Sequence, residues 1–288
     1  MVVRQHRCHG RALSVCALVA AGAMAMSTGC AGPAGDEGTG HRGSGGPPLA
    51  EVRRAAAVLS HAGSAETRTS METASGGTRV TIRGVGAYDF RRQLGRIKVV
   101  LPKDAAGAEG RRPVTELLVP GALYMKNRGA GVPDGKWVRI DTAGLADGNL
   151  VTGGVTDPTA AAELLRGAAE VRYMGRTELA GVPVRHYRGT ADLGQAARRA
   201  SPSSRGAMAA AAAGLGSDTV PFDAYLDDDG LLRKVRHRFS YAAGGPSVEV
   251  VSTMLLYGFG SPVSVRLPPE GDIYTGRVRQ GGDGPESP

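Results

Sequence analysis

Thr78-Arg-Val-Thr-Ile-Arg-Gly-Val-Gly-Ala-Tyr-Asp-Phe90 is the stretch whose reading decides the fold. Val80, Ile82, Tyr88 and Phe90 fall on one side of it, with Gly84 and Gly86 between them, and Arg79, Thr81, Arg83 and Asp89 fall on the other. A period of two belongs to a half-buried β-strand, because successive Cβ atoms point to opposite faces. The alternation resumes at Arg96-Ile-Lys-Val99, which sets Ile97 and Val99 against Arg96 and Lys98.

Working outward, further strands are expected at Val114 to Val119, Ala122 to Lys126, Lys136 to Asp141 and Glu170 to Met174. The second half adds Val182 to Arg188, Val220 to Leu226, Leu231 to Tyr241 and Ser247 to Tyr257. Gly-, Pro- and Asp-rich turns such as Asp227-Asp-Asp-Gly230 join them, at the spacing of antiparallel meanders. A helix is expected first, where Leu49, Val52, Ala55, Ala56 and Leu59 recur at helical spacing and Gly63 stops them. A second starts at Asp157 with Pro158 in its first turn, and a third near Asp192 with Gln195 three residues on. Pro202 interrupts the third, which resumes with Ser203 or Ser204 as cap and ends in the Ala-rich run to Gly214. Such a run is helical by propensity but offers little area to bury, so it is either a loosely docked lid or a surface excursion without a role.

These elements give an α+β chain: one large antiparallel sheet of about ten strands, with a few helices covering one face. A sheet that wide curls. Its inward set is expected to be Val80, Ile82, Ile97, Val99, Leu117, Val119, Val235, Phe239, Val248 and Val250, while Arg79, Arg83, Arg96, Lys98, Arg236 and Arg238 face water. Aromatics make up only 5% of the chain, so the concave side holds either a thin compact core or a cavity for an apolar ligand.

The amino terminus has a different composition. Arg4, Arg7 and Arg11 precede a charge-free apolar run from Ala12 to Gly29, which ends Ser27-Thr-Gly-Cys30. This is the pattern of a secretory leader. The ending resembles a bacterial lipobox, in which the cysteine receives a diacylglycerol and becomes the new amino terminus; Ser27 stands where Leu is usual. The alternatives are an ordinary secretory peptide and an uncleaved anchor, the latter at the lower limit of spanning length. Residues 1–29 are therefore read as a lipoprotein signal peptide, with Cys30 as the lipid attachment site.

Residues 30–48 form a tether. Positions 31–48 hold seven Gly and three Pro without apolar periodicity, and as a coil they span about 25 Å. The folded domain is assigned to 49–279, and 280–288 to a disordered tail. The chain carries +8, and loss of the three leader arginines leaves +5. An exported, anchored domain has little occasion to meet nucleic acid, so a surface that tolerates anionic headgroups is the better reading. Cys8 and Cys16 depart with the leader, leaving no disulfide, and the core alone must hold the domain.

Catalytic and metal patterns are missing from the sequence. There is no Gly-x-Ser-x-Gly elbow, no Ser three residues before a Lys, and no Cys-x-x-Cys or His-x-x-x-His pair after the leader. His41 lies in the tether, while His186 and His237 read as packed or partly exposed strand residues. Asp227-Asp-Asp-Gly230 lacks the closing Glu of a calcium loop, and Gly84-Val-Gly86 has no following helix to be a dinucleotide fingerprint. No cofactor and no enzymatic activity are expected, and the protein is read as a monomer.

Several motifs in series resemble one family. They are Ala122-Leu-Tyr-Met-Lys126 followed by Gly135-Lys-Trp-Val-Arg-Ile-Asp141, the hairpin Gly175 to Gly189, Tyr225-Leu-Asp-Asp-Asp-Gly-Leu-Leu-Arg233, and the close from Tyr257 to Pro269. In this order they are similar to the LolA-like lipoprotein superfamily, in particular the actinobacterial LppX/LprG-related lipid-binding lipoproteins. The resemblance implies an incomplete antiparallel barrel wrapped around helices, with a hydrophobic cavity that carries lipids or lipoproteins. The Ala-rich insertion near Ala196 to Gly214 departs from the pattern. The expected function is that of an anchored extracytoplasmic lipoprotein carrying a lipid or other hydrophobic ligand. The alternative is an anchored sensor or adaptor without a transported ligand; an undetected hydrolase would need a catalytic pair that the sequence does not display.

Replacing Cys30 with Ser is expected to release the protein from the membrane fraction or to stall it as precursor, read by fractionation and intact mass. Unchanged anchoring and processing would contradict the lipobox reading.

Overall fold

Among the described residues, eleven strands pair in the order β6-β5-β4-β3-β2-β1-β11-β10-β9-β8-β7, every neighbour antiparallel. The computed structural model describes residues 47–75, 78–101, 113–128, 131–151, 157–241 and 247–276. The leader, Cys30, His41, nearly all of the tether and the tail lie outside the described residues.

The first meander runs β1 (Ser64–Ser75), β2 (Thr78–Asp89), β3 (Leu94–Val100), β4 (Val114–Val119), β5 (Ala122–Lys126) and β6 (Trp137–Asp141). The second runs β7 (Ala168–Leu179), β8 (Val182–Asp192), β9 (Thr219–Leu226), β10 (Leu232–Tyr241) and β11 (Val248–Tyr257). Only the β1–β11 pair joins strands distant in sequence, with Glu66 opposite Tyr257 and Ala74 opposite Glu249. The sheet is open and is not closed into a barrel. The architecture is α+β, as read from the sequence, with one strand more than expected.

That extra strand is β1. Ser64-Ala-Glu-Thr-Arg-Thr-Ser-Met-Glu-Thr-Ala-Ser75 is too polar to stand out as a strand, yet it occupies the sheet's centre. Its inward positions are Ala65, Thr67, Thr69 and Met71, all buried. Neighbouring strands supply the missing pairing, so tertiary context overrides composition.

Helices cover one face. They are α1 (Pro48–His61), α2 (Pro158–Leu164), α3 (Leu193–Arg199) and α4 (Arg205–Gly214). Asp157 caps α2 through its side chain, accepting from the Thr159 and Ala160 amides at 2.7 and 3.0 Å, and Asp192 caps α3 by accepting from Gln195 N at 2.6 Å. Ser204 occupies the corresponding place before α4 but makes no side-chain cap. Instead, α4 is set by close approach to the segment after β6. A Cβ on Gly148, whose φ is +57°, would strike the carbonyl oxygen of Ala207, and one on Gly214 would strike that of Ala146. The Ala-rich helix is therefore docked against that segment.

Two apolar clusters lie between helices and sheet. The first gathers Val52, Ala55 and Leu59 of α1 with Tyr88, Ile97, Val99, Leu118, Tyr187, Phe222 and Val235. The second gathers Ala160, Leu164, Leu193, Ala196, Met208 and Ala211 with Met71, Phe239 and Val250. Half-buried Ile82 packs against both.

A buried ion pair ties α1 to β8. Arg185 Nη1 donates to Glu51 Oε2 at 2.7 Å, and the Tyr187 hydroxyl donates to the same oxygen. Arg53 Nε adds a bond to the Ala168 carbonyl at 2.8 Å, which ties α1 to β7 as well.

Both sheet edges are managed. Beside β6, Ile273 bridges Trp137, and Tyr274 N donates to the Trp137 carbonyl at 2.7 Å. On the other edge, β7 presents charged Arg172, Arg176 and Glu178 to solvent, the kind of side chain that discourages edge-to-edge pairing.

Removing Glu51 as Ala is expected to destabilise the fold by about 3 kcal/mol, because Arg185 is left buried without its counter-charge. Adding Arg185→Met should recover part of that loss in urea unfolding. A double variant no more stable than Glu51→Ala would mean that the loss is one of packing.

Candidate functional site

The inward face of the sheet can be followed row by row from the register. One row runs Met125, Glu116, Ile97, Gly86, Thr67 and Leu256. The next runs Val114, Val99, Gly84, Thr69, Met254, Val235, Ala224 and Tyr187. A third runs Ile82, Met71, Ser252, His237, Phe222 and Gly189. These rows form the floor beneath the helices.

Of the ten residues expected to face inward, Ile97, Val99 and Val235 are buried in the first cluster, and Phe239 and Val250 in the second. Ile82 lies between the two, and half-buried Val248 lies at the margin of the second. Three depart from expectation. Val80 is on the correct side but 40% exposed, near the start of β2. Leu117 and Val119 belong to the opposite side of β4: Leu117 pairs with Arg96 and Tyr124, while the inward set is Val114, Glu116 and Leu118. Leu117 is nevertheless buried, outside both clusters.

The cause is a one-residue reversal of reading. Val114-Thr-Glu-Leu-Leu-Val119 has apolar residues in both phases, and a charged Glu sits in the phase that faces inward. Of the cations expected outward, Arg79, Arg83, Arg96 and Lys98 are exposed, whereas Arg236 and Arg238 are half-buried.

Several polar groups on the floor make no hydrogen bond. Thr67 Oγ1, Thr69 Oγ1, His237 Nε2 and both carboxylate oxygens of Glu116 are buried without a hydrogen bond. Burial pushes the Glu116 carboxyl up to about 8, and Arg128, with Nη1 3.7 Å away, offsets this only in part. Burial likewise pushes the His237 imidazole down to about 3, which keeps it neutral in ordinary solution.

On the outward face, Asp223 gathers His186 Nε2 at 2.8 Å, Arg188 Nε at 2.9 Å and Arg238 Nη1 at 3.7 Å. Burial works to raise this carboxyl, but the bonds from Arg188 and His186 outweigh it and hold it below the usual range. His186 stacks on Tyr225 at 4.3 Å. Asp227 closes its turn by accepting from Leu231 N at 2.9 Å and Arg233 Nε at 2.6 Å, a turn-forming role rather than a metal-binding one. Among the described residues, no group of three or more His, Cys, Asp or Glu could hold a metal, and no helix is long and apolar enough to cross a membrane.

Two spaces border these elements. One of about 50 Å³ lies among Tyr88, Leu118, Asn149, Asp157, Ala160 and Met208, room for a water molecule or two. The other, about 470 Å³ and open, lies at the ends of β9, β10 and β11, where Thr219, Pro221, Arg238 and Glu249 of the outward set meet Phe239 and Val248.

Sequence reading missed Thr67, Thr69 and Met71 because it missed β1, although Thr67-Arg-Thr-Ser-Met71 does alternate. It also passed over Glu116, whose charge spoke for the outer face.

Solved structures similar to this chain include the lipoprotein LppX of Mycobacterium tuberculosis, 12% identical over 76% of this chain and 97% of that one, with a TM-score of 0.46. LprF of Mycobacterium bovis is 12% identical over 77% and 96%, at 0.40. A LolA superfamily protein of Nitrosomonas europaea is 11% identical over 74% and 94%, at 0.34. No residue role comes across from these likenesses. No protein-family model matches the sequence, and no curated protein matches it.

Glu116→Gln tests the buried carboxyl. The folded protein keeps a proton that the unfolded chain releases above about pH 4.5, so this group's contribution to stability falls as pH rises from about 4.5 to about 8. His237 acts with the opposite sign: its contribution falls as pH drops from about 6.5 toward 3. In urea unfolding, the variant should gain on the wild type steadily between pH 4.5 and 8. Parallel pH curves would contradict a buried, protonated Glu116.

Proposed function

We propose that this protein is an exported lipoprotein, anchored through Cys30 on the extracytoplasmic face of the membrane, and that it carries a hydrophobic or amphiphilic ligand between its sheet and helices. It performs no catalysis in this reading. The observation that carries the proposal is the make-up of the roof over the second cluster. Ala160, Ala196, Ala200 and Ala211 face the larger floor residues Met71, Phe239 and Val250. Few large side chains hold α3 and α4 down: Leu193, Met208 and, just after α4, Leu215.

Magnitudes favour exchange with an alkyl chain. Exposing three such side chains costs about 5–9 kcal/mol, at about 1.5–3 kcal/mol each. An alkyl chain regains about 0.8 kcal/mol per buried CH₂, so about six to eleven methylenes offset the opening. A single fatty chain is long enough. Seven of the ten candidate residues then divide. Ile82, Phe239, Val248 and Val250 line the ligand space under the Ala-rich roof, with Ile97, Val99 and Val235 deeper in the first cluster.

The full chain purified without added lipid is expected to release an amphiphile on organic extraction, seen also as added mass under native ionisation. Ala211→Trp, which adds bulk beneath α4, should abolish the extra mass at little cost in stability if the interior opens to admit the ligand. If the wild type never carries lipid and Ala211→Trp costs the 1–3 kcal/mol typical of an overpacked core, the interior is closed and the anchored adaptor becomes the better reading.

A further inference from the structure

The unpartnered polar atoms of the floor are grouped. Thr67 and Thr69 lie on the inward face of β1, one register step apart, and Gly86 and Gly84 are their partners on β2, so no side chain stands beside either hydroxyl on that strand. Met71, the next inward residue of β1, faces Ser252 on β11, and Ser252 faces His237 on β10. Thr67, Thr69 and His237 thus share a patch two strand spacings wide, about 10 Å, and about 13 Å long from the Thr67 row to the Met71 row, with the two hydroxyls toward one end and His237 at the other. Ser252 lies between them and is also buried.

Thr67, Thr69 and His237 are 0%, 6% and 1% exposed, and Thr67 Oγ1, Thr69 Oγ1 and His237 Nε2 have no hydrogen-bond partner. Met254, Leu256, Val235 and Phe239 surround the patch with apolar surface. A buried donor or acceptor left unmade is unfavourable, and each such group in a folded protein calls for an explanation. Three on one face, Thr67 and Thr69 among first-cluster residues and His237 against Phe239 of the second, point to something that enters.

We infer that Thr67, Thr69 and His237 anchor the uncharged oxygen-bearing groups of an amphiphile, esters and hydroxyls spread along it, the two threonines at one end and His237 at the other, held between sheet and helices. This rests on the carrier reading and names the ligand class within it. The hydroxyls of Thr67 and Thr69 can each donate or accept, and neutral His237 offers one further position through Nε2. No cation is among the three, so a carboxylate or phosphate would arrive without a counter-charge, while a bare alkane would leave the three groups unsatisfied. A glycerol ester or fatty alcohol meets both conditions.

The test uses the full chain, stripped of bound lipid and offered equal amounts of 1-monohexadecanoylglycerol and n-hexadecane, with the retained molecules counted by mass spectrometry after desalting. The wild type is expected to prefer the glycerol ester by about tenfold, the worth of one or two net hydrogen bonds. Thr67→Val with Thr69→Val, and separately His237→Phe, should bring that preference close to parity while hexadecane is still retained. The valine pair should also unfold no earlier than the wild type, since it replaces unsatisfied hydroxyls by methyl groups of similar shape. It therefore keeps the test decisive if His237→Phe fails to fold. Equal retention of the two probes by the wild type would overturn the inference and leave the carrier reading standing. A preference unchanged in the valine pair would also overturn it, and would assign the hydroxyls to trapped water. Retention of neither probe would overturn the carrier reading itself, and this inference with it.

Discussion

The pairing of β1 with β11 is the contact on which the rest of the structure depends. Every other strand pair joins neighbours in sequence, so each meander can form locally; this one joins residues 66–74 to residues 249–257. Without it there would be a six-stranded and a five-stranded ribbon, each with an open edge where the centre of the sheet now lies. With it, the inward faces of both become one floor, and α1 can reach from the first meander to Arg185 on β8 and to Ala168 on β7. Closing so long a loop costs entropy before the contact rewards it, so this pair is the natural slow step of folding.

That central strand was also the hardest to read. Strands with apolar residues in one phase, such as β2, β3 and β10, were legible in both place and facing. Val114–Val119 and Ala122–Lys126 were legible in place, but β4 carries apolar residues in both phases, and Glu116 turns inward. Nothing in its own composition indicates that a carboxyl will be buried; that depends on Ile97 and Met125, which pair beside it. β1 has six Ser or Thr residues interspersed with Glu and Arg, and it becomes a strand because β2 and β11 supply its hydrogen bonds. The candidate site was legible in part for the same reason. Its apolar residues on β3, β10 and β11 follow from alternation, whereas Thr67, Thr69 and His237 require the sheet to be assembled first.

The two faces of the sheet solve opposite problems. Outward, Asp223 is surrounded by His186, Arg188 and Arg238, so a buried carboxylate is matched several times over. Inward, hydroxyls and an imidazole are buried and left unmatched. A fold selected for stability alone would place Val at 67 and 69 and a larger apolar residue at 237. The residues present lower stability locally, in the manner expected of a surface that meets a ligand. The Ala-rich roof fits this account. It covers the second cluster with little side-chain area, while the close glycine contacts of Gly148 and Gly214 join α4 to residues 146–148.

The central claim is that the roof opens while the sheet stays intact. Native-state hydrogen exchange measures this directly, because amides that open locally exchange with a smaller free energy than those that need global unfolding. The account predicts that β1 and β11 amides exchange last and together, that α3 and α4 amides exchange earlier through an opening insensitive to low denaturant, and that a bound amphiphile slows the second group and leaves the first unchanged. If α4 amides exchange only with global unfolding, and amphiphile has no effect on them, the roof does not open and the account is contradicted.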